Sequence, residues 1–145
     1  MEVDAKRKLL EKTKRGLEDA VLIIEGKRDE RALRESGLAP SAQVVKAGGR
    51  NAGAVARRAL EAKKSDEQKI VVLTDFDEEG ERRASEIREA LNAEGAAPDA
   101  ALRRNFARLF GVACVEDAPA ALARLEEMLS RKGKKSDLRT GENEK

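Results

Sequence analysis

A chain of 145 residues is long enough for one domain with a real core and too short for two. Hydrophobic and charged residues each make up 40%, aromatics only 2%, and the formal charge is +2. Aliphatic side chains must therefore build the core, and net charge alone marks no nucleic-acid binder. A single cysteine, Cys114, excludes an internal disulfide and fits a reducing compartment, while the lack of His excludes an imidazole base or a histidine metal site. No apolar run approaches the roughly 20 residues of a membrane span, and no signal-peptide core is visible at the N-terminus. A cytoplasmic protein without membrane contact is expected.

In chain order, residues 1–19 read as a charged helix. Val21-Leu22-Ile23-Ile24 is a short β-branched run ending in Glu25-Gly26, the pattern of a strand buried on both faces. Residues 27–36 return to helical periodicity, closed by Gly37. Gln43–Lys46 is a weaker strand, followed by a glycine-rich loop (Gly48, Gly49, Gly53) and a helix carrying Ala52, Val55, Ala56, Ala59 and Leu60 on one face. Ile70–Leu73 is the clearest strand and runs into Thr74-Asp75-Phe76-Asp77. The next helix carries Ala84, Ile87 and Leu91, with Gly95 as its stop. Asp99 caps a short helix with Leu102, Phe106, Leu109 and Phe110 inward. Val112–Val115 reads as a fourth strand, with Cys114 as a small buried hydrophobe, and Asp117 opens the last helix. From about residue 132 the apolar residues fade and a disordered tail is expected.

Strands alternating with helices at these lengths predict an α/β fold: a mainly parallel, four-stranded sheet with helices on both faces. The expected divisions are an N-terminal charged helix (1–19), an α/β domain (20–131) and a tail (132–145). In such sheets ligands bind beyond the carboxyl ends of the strands. Two strands end there in acids, the first in Glu25 and the third in Asp75 and Asp77. In extended backbone, residues two apart point the same way with Cα atoms about 6.6 Å apart, so Asp75 and Asp77 could share a cation, with Glu79 supplying another oxygen. Converging carboxylates either take up protons or gather a cation. With no softer ligand expected nearby, that cation is Mg2+, with Mn2+ possible. The competing reading makes each acid a helix cap or turn residue.

The blocks Ile24-Glu25-Gly26-Lys27-Arg28-Asp29 and Leu73-Thr74-Asp75-Phe76-Asp77-Glu78-Glu79-Gly80-Glu81 resemble the two motifs of the Toprim family. That family includes type IA topoisomerases, bacterial primases and small nucleases. The segment from Asp99 to Pro119 is similar to small stand-alone archaeal Toprim proteins and, more loosely, to the bacterial maturase of 5S ribosomal RNA. The resemblance implies a Toprim-like fold in which Glu25 is a general acid or base, while Asp75, Asp77 and Glu79 bind Mg2+; the expected metal set is Glu25, Asp75, Asp77 and Glu79. Without a Tyr the chain cannot be a topoisomerase alone, and without a cysteine–histidine set it lacks the primase zinc module.

Basic residues suggest where phosphates would lie. Lys27 and Arg28 stand beside Glu25, Lys27 as a catalytic candidate and Arg28 as a nucleic-acid contact. Arg50 stands in the glycine-rich loop, and Arg103, Arg104 and Arg108 are expected on the outer side of their helix. Each also reads as an ordinary solvated charge. The expected function is metal-dependent phosphodiester chemistry on nucleic acid, with RNA preferred over DNA, of the nuclease or maturase kind. The alternatives are a non-catalytic module holding structured RNA in a ribonucleoprotein, and an accessory subunit in DNA repair or replication.

Overall fold

The computed structural model describes residues 2–143, with side chains through Arg131. The run Val21-Leu22-Ile23-Ile24 is buried along its whole length and forms β1 (Val21–Ile24) at the centre of the molecule. Strands β2 (Gln43–Lys46) and β3 (Ile70–Val72) pair with it in parallel, giving the order β2-β1-β3. Among the described residues, six α-helices surround the sheet: α1 (Val3–Asp19), α2 (Lys27–Glu35), α3 (Ala52–Ala62), α4 (Glu78–Ala93), α5 (Ala100–Phe110) and α6 (Ala118–Asn143).

Alternate residues of a strand point to opposite faces, and β1 divides its side chains between two cores. Val21 and Ile23 pack with Val55, Ala59, Ile87 and Leu91 of α3 and α4. Leu22 and Ile24 pack with Leu17, Leu33, Phe106 and Leu122 from α1, α2, α5 and α6. Every β1 side chain is fully buried, contributing roughly 1.5–3 kcal/mol each. The architecture is mixed α/β, a three-stranded parallel sheet flanked by helices. Among the described residues, no helix is long and apolar enough to cross a membrane. The tail expected at 132–145 lies outside the residues described with side chains.

The expected fourth strand does not form. Residues 112–114 lie outside any strand, and Val115–Asp117 is a single 3-10 turn leading into α6. The outer edge of β3 is closed by other means. The Asp99 amide donates to the Ile70 carbonyl at 2.8 Å, and Arg103 of α5 donates to the carbonyls of Val72 (3.0 Å), Thr74 (2.8 Å) and Asp75 (3.1 Å). The acceptors that a neighbouring strand would need are thus already taken. The 112–115 segment touches this edge only past the end of β3, where the Phe76 amide donates to the Ala113 carbonyl. Arg103 therefore does not stand on the exposed side of its helix: its side chain is 12% exposed and pairs with Glu81 at 2.8 Å. Its cation also lies 4.4 Å from the centre of the Phe76 ring, a favourable contact.

Candidate functional site

Glu25 follows β1 directly, and Asp75 and Asp77 follow β3, so parallel pairing of the two strands brings all of them to one end of the sheet. Phe76 turns the opposite way and stacks on Phe106 with ring centres 5.7 Å apart, as the alternation of extended backbone requires. Glu79 lies in the first turn of α4. A cleft of about 280 Å³ is lined by Glu25, Asp75, Asp77, Glu79, Gly80 and Arg83. The four acids singled out from the sequence share this one cavity.

Two of them also hold backbone. One Asp77 oxygen caps α4 by accepting the Gly80 amide at 2.8 Å, and one Asp75 oxygen accepts the Val115 amide at 2.9 Å. Each keeps a second oxygen for other work. Glu79 pairs with Arg82 on the exposed surface, where such a pair contributes little to stability. Gly80 allows the close approach of α4 to the end of β3. Its carbonyl accepts the buried Thr74 hydroxyl at 2.8 Å. Gly48 has the same role on the other side, where its amide donates to the Glu25 carbonyl at 2.9 Å and a β-carbon would lie 2.8 Å from that oxygen.

The electrostatics are those of crowded acids. Burial pushes the Glu25 carboxyl above its ordinary range; Arg83 opposes the shift, and Asp75, Asp29 and Glu79 add to it. Asp29, buried in the first turn of α2, is also raised by burial; its hydrogen bond from the Gly26 amide opposes this, and Asp75 and Glu116 reinforce it. Such a cluster favours proton uptake or a cation.

Cys114 is not the buried strand residue expected from its apolar neighbours. It is half-buried beside the acids, and Asp75 first, then burial, raises its thiol. One ligand atom each from Asp75, Asp77 and Cys114 lies within 4.8 Å of the others. In octahedral magnesium adjacent ligands are about 3.0 Å apart and opposite ones about 4.2 Å, so these side chains would have to close in to hold one ion together. The carboxylates suit Mg2+ or Mn2+, while the thiol is a softer donor that favours Mn2+ over Mg2+.

Among the basic candidates, Lys27 and Arg28 are exposed on the first turn of α2, immediately after Glu25 and Gly26. Arg50 is exposed in the loop after β2, and Arg104 and Arg108 are exposed on α5. Lys27, Arg28, Arg50, Arg104 and Arg108 are not part of the cleft lining, and Arg103 serves the β3 edge. Arg83 was not anticipated from the sequence. It donates to the Ala47 carbonyl at 2.7 Å and to the Arg50 carbonyl, joining α4 to the glycine-rich loop across the cleft. Its place four residues after Glu79 puts it on the same helical face, which was the available signal.

No family model matches the chain, and no curated protein matches it. Among solved structures it is similar to a protein from Aquifex aeolicus whose description states no activity. The two are 24% identical with a TM-score of 0.59, over 77% of this chain and 95% of that one. That likeness concerns the fold alone.

Proposed function

We propose that the acid-lined cleft binds a divalent cation, Mg2+ or Mn2+, and performs phosphodiester chemistry on RNA in the manner of a Toprim-type nuclease or maturase. The observation that carries this reading is the gathering of Glu25, Asp75, Asp77 and Glu79 around one cavity at the carboxyl ends of β1 and β3. The Toprim resemblance of the blocks at 24–29 and 73–81 supports the same assignment. A cation bound there would polarise a phosphoryl oxygen and lower the pKa of a bound water. Asp75, Asp77 and Glu79 would supply its protein oxygens. Glu25, whose proton affinity is raised by burial, suits proton transfer to or from the reacting oxygen. Lys27 and Arg28, one turn away, would meet the neighbouring phosphates.

RNA is favoured through shape or duplex features. The chain has three phenylalanines, and Phe76, Phe106 and Phe110 pack on one another, so they offer no platform for stacking unpaired bases. Shape-based recognition of structured RNA needs none.

A second reading, a module that holds structured RNA without cleaving it, is favoured by one observation: Asp75 and Asp77 each secure a backbone amide. The experiment that separates the two is a calorimetric titration with Mg2+ alongside cleavage of cellular RNA. Asp75→Asn and Asp77→Asn keep the amide-accepting oxygen, since Asn caps helices as well as Asp, but remove the charge. Both should weaken Mg2+ binding, whereas Glu25→Gln should retain cation and RNA while turnover falls by roughly 10²–10⁴. RNA binding without cleavage in Mg2+ or Mn2+ would leave only the binding module. Unchanged Mg2+ affinity in all three variants would make the acids caps and turns.

A further inference from the structure

We propose that the open edge of β2 is a phosphate track, seating the stretch of the same RNA strand that flanks the bond held in the acid cleft. This rests on the function proposed above and adds to it a second contact surface with its own residues. A groove of about 580 Å³, twice the size of the acid cleft, runs along this edge and is lined by Val44, Val45, Lys46, Arg50, Arg58 and Glu61, among others.

The backbone explains why this edge is open. β2 is an outer strand with β1 on one side only. The Ala47 amide turns inward to the Ile24 carbonyl, so the alternation of a parallel ladder turns Val45 inward as well and leaves the amides and carbonyls of Val44 and Lys46 facing out. The opposite border of the sheet is covered by Asp99 and Arg103; here no corresponding cover exists among the described residues.

The side chains say what would fit. Lys46 rises beside the edge, paired with Glu30 at 3.1 Å. Arg50 and Arg58 are exposed, and among the described residues neither forms an ion pair. Glu61 is the one acid in the lining. With Lys46 shared with Glu30, the two unpaired arginines and the outward amides between them suit a row of phosphates, which proteins bind through Lys, Arg and backbone N–H groups. The same cations and the four-residue length of β2 disfavour an added protein strand.

The groove and the cleft are joined. Arg83 lines the cleft and donates to the carbonyl of Arg50, which lines the groove. In the same loop Gly48 sits on the Glu25 carbonyl, where a β-carbon would collide with that oxygen, so the loop that carries Arg50 is held close to Glu25. A strand leaving Glu25 across this loop arrives at Arg50 and then Arg58.

The test is fluorescence anisotropy with a labelled RNA hairpin bearing a single-stranded extension, titrated over a range of KCl concentrations. Arg50→Ala and Arg58→Ala should each reduce the slope of log K against log salt by about 0.7–0.9, and Glu61→Lys should steepen it. Because Arg58 lies outside the cleft, Arg58→Ala should leave calorimetric Mg2+ affinity unchanged. If the wild type binds the hairpin and both Ala variants keep its slope, the track is overturned while the cleft reading stands. Binding of labelled polyglutamate that Arg50→Ala and Arg58→Ala weaken, with both hairpin slopes unchanged, would overturn the track and assign the groove to an acidic protein. No hairpin binding by the wild type at any salt would overturn both.

Discussion

A β-carbon placed on Gly80 would lie 2.0 Å from the carbonyl oxygen of Asp75. The first turn of α4 is therefore pressed against the end of β3, and this contact aims Asp77 and Glu79 into the same space as Asp75. Gly80→Ala cannot be absorbed by a flexible side chain, because the obstructing atom is backbone. We expect a loss of about 3 kcal/mol or more, read by urea denaturation, together with loss of Mg2+ binding. A variant of wild-type stability would mean that α4 can slide away from β3 at little cost.

Arg103 should behave as a structural residue although it lies in an arginine-rich helix. Arg103→Ala would strip the outward carbonyls of Val72 and Thr74 of their donor and remove the cation from Phe76. The expected loss is about 2–3 kcal/mol. Arg103→Lys should restore only part of it, since an ammonium lacks the planar fork that reaches several carbonyls at once. Arg104→Ala and Arg108→Ala, at exposed positions, serve as controls and should change stability by less than about 0.5 kcal/mol.

Stability should also respond to pH in a defined direction. Glu25 and Asp29 hold their protons to higher pH in the folded chain than their ordinary values of 4.5 and 3.8. Over the window that opens at those values the folded state binds more protons than the unfolded one, so stability falls as the pH rises through it. Glu25→Gln should flatten that fall, and saturating Mg2+ should oppose it. Denaturation midpoints measured from about pH 4 to 8 test this; a rise across the window in the metal-free wild type would contradict it.

Cys114 reports on the same charges. Asp75 is the largest influence raising its thiol, so Asp75→Asn should increase the thiolate fraction and speed alkylation by iodoacetamide about two- to ten-fold near pH 8. Mass spectrometry of the labelled chain gives the rate directly. An unchanged rate would show that Asp75 does not govern the thiol.

Much of the scaffold was legible in the sequence because single physical causes fix it. β1 announces itself by four apolar side chains buried on both faces, and the ends of α2 and α4 by glycines with φ of +82° and +83°. Asp99 caps α5 as expected, accepting the Leu102 amide at 3.0 Å. The meeting of Glu25 with Asp75 and Asp77 followed from parallel strands ending in acids. The fourth strand was misread because Val112-Ala113-Cys114-Val115 has a strand's composition, while the edge it needed is occupied by an arginine from another element. Arg103 itself gave a clue: it lies three residues before Phe106 and seven before Phe110, on their inward face, whereas Arg104 and Arg108 lie four apart on the outer one. Cys114 became a site neighbour only through contacts between elements distant in the chain, whereas Arg83 had a local signal in its place one turn after Glu79 on α4.

The two borders of the sheet are unlike, and this gives the molecule a direction for growth. A guanidinium and a helix-capping amide terminate one side chemically, so no further strand can join there without first displacing α5. The other side ends in unoccupied backbone. Any domain exchange, filament or misassembled aggregate built by strand addition must therefore begin at β2, and a ligand lying along β2 would act as a chaperone against self-association as well as a cargo.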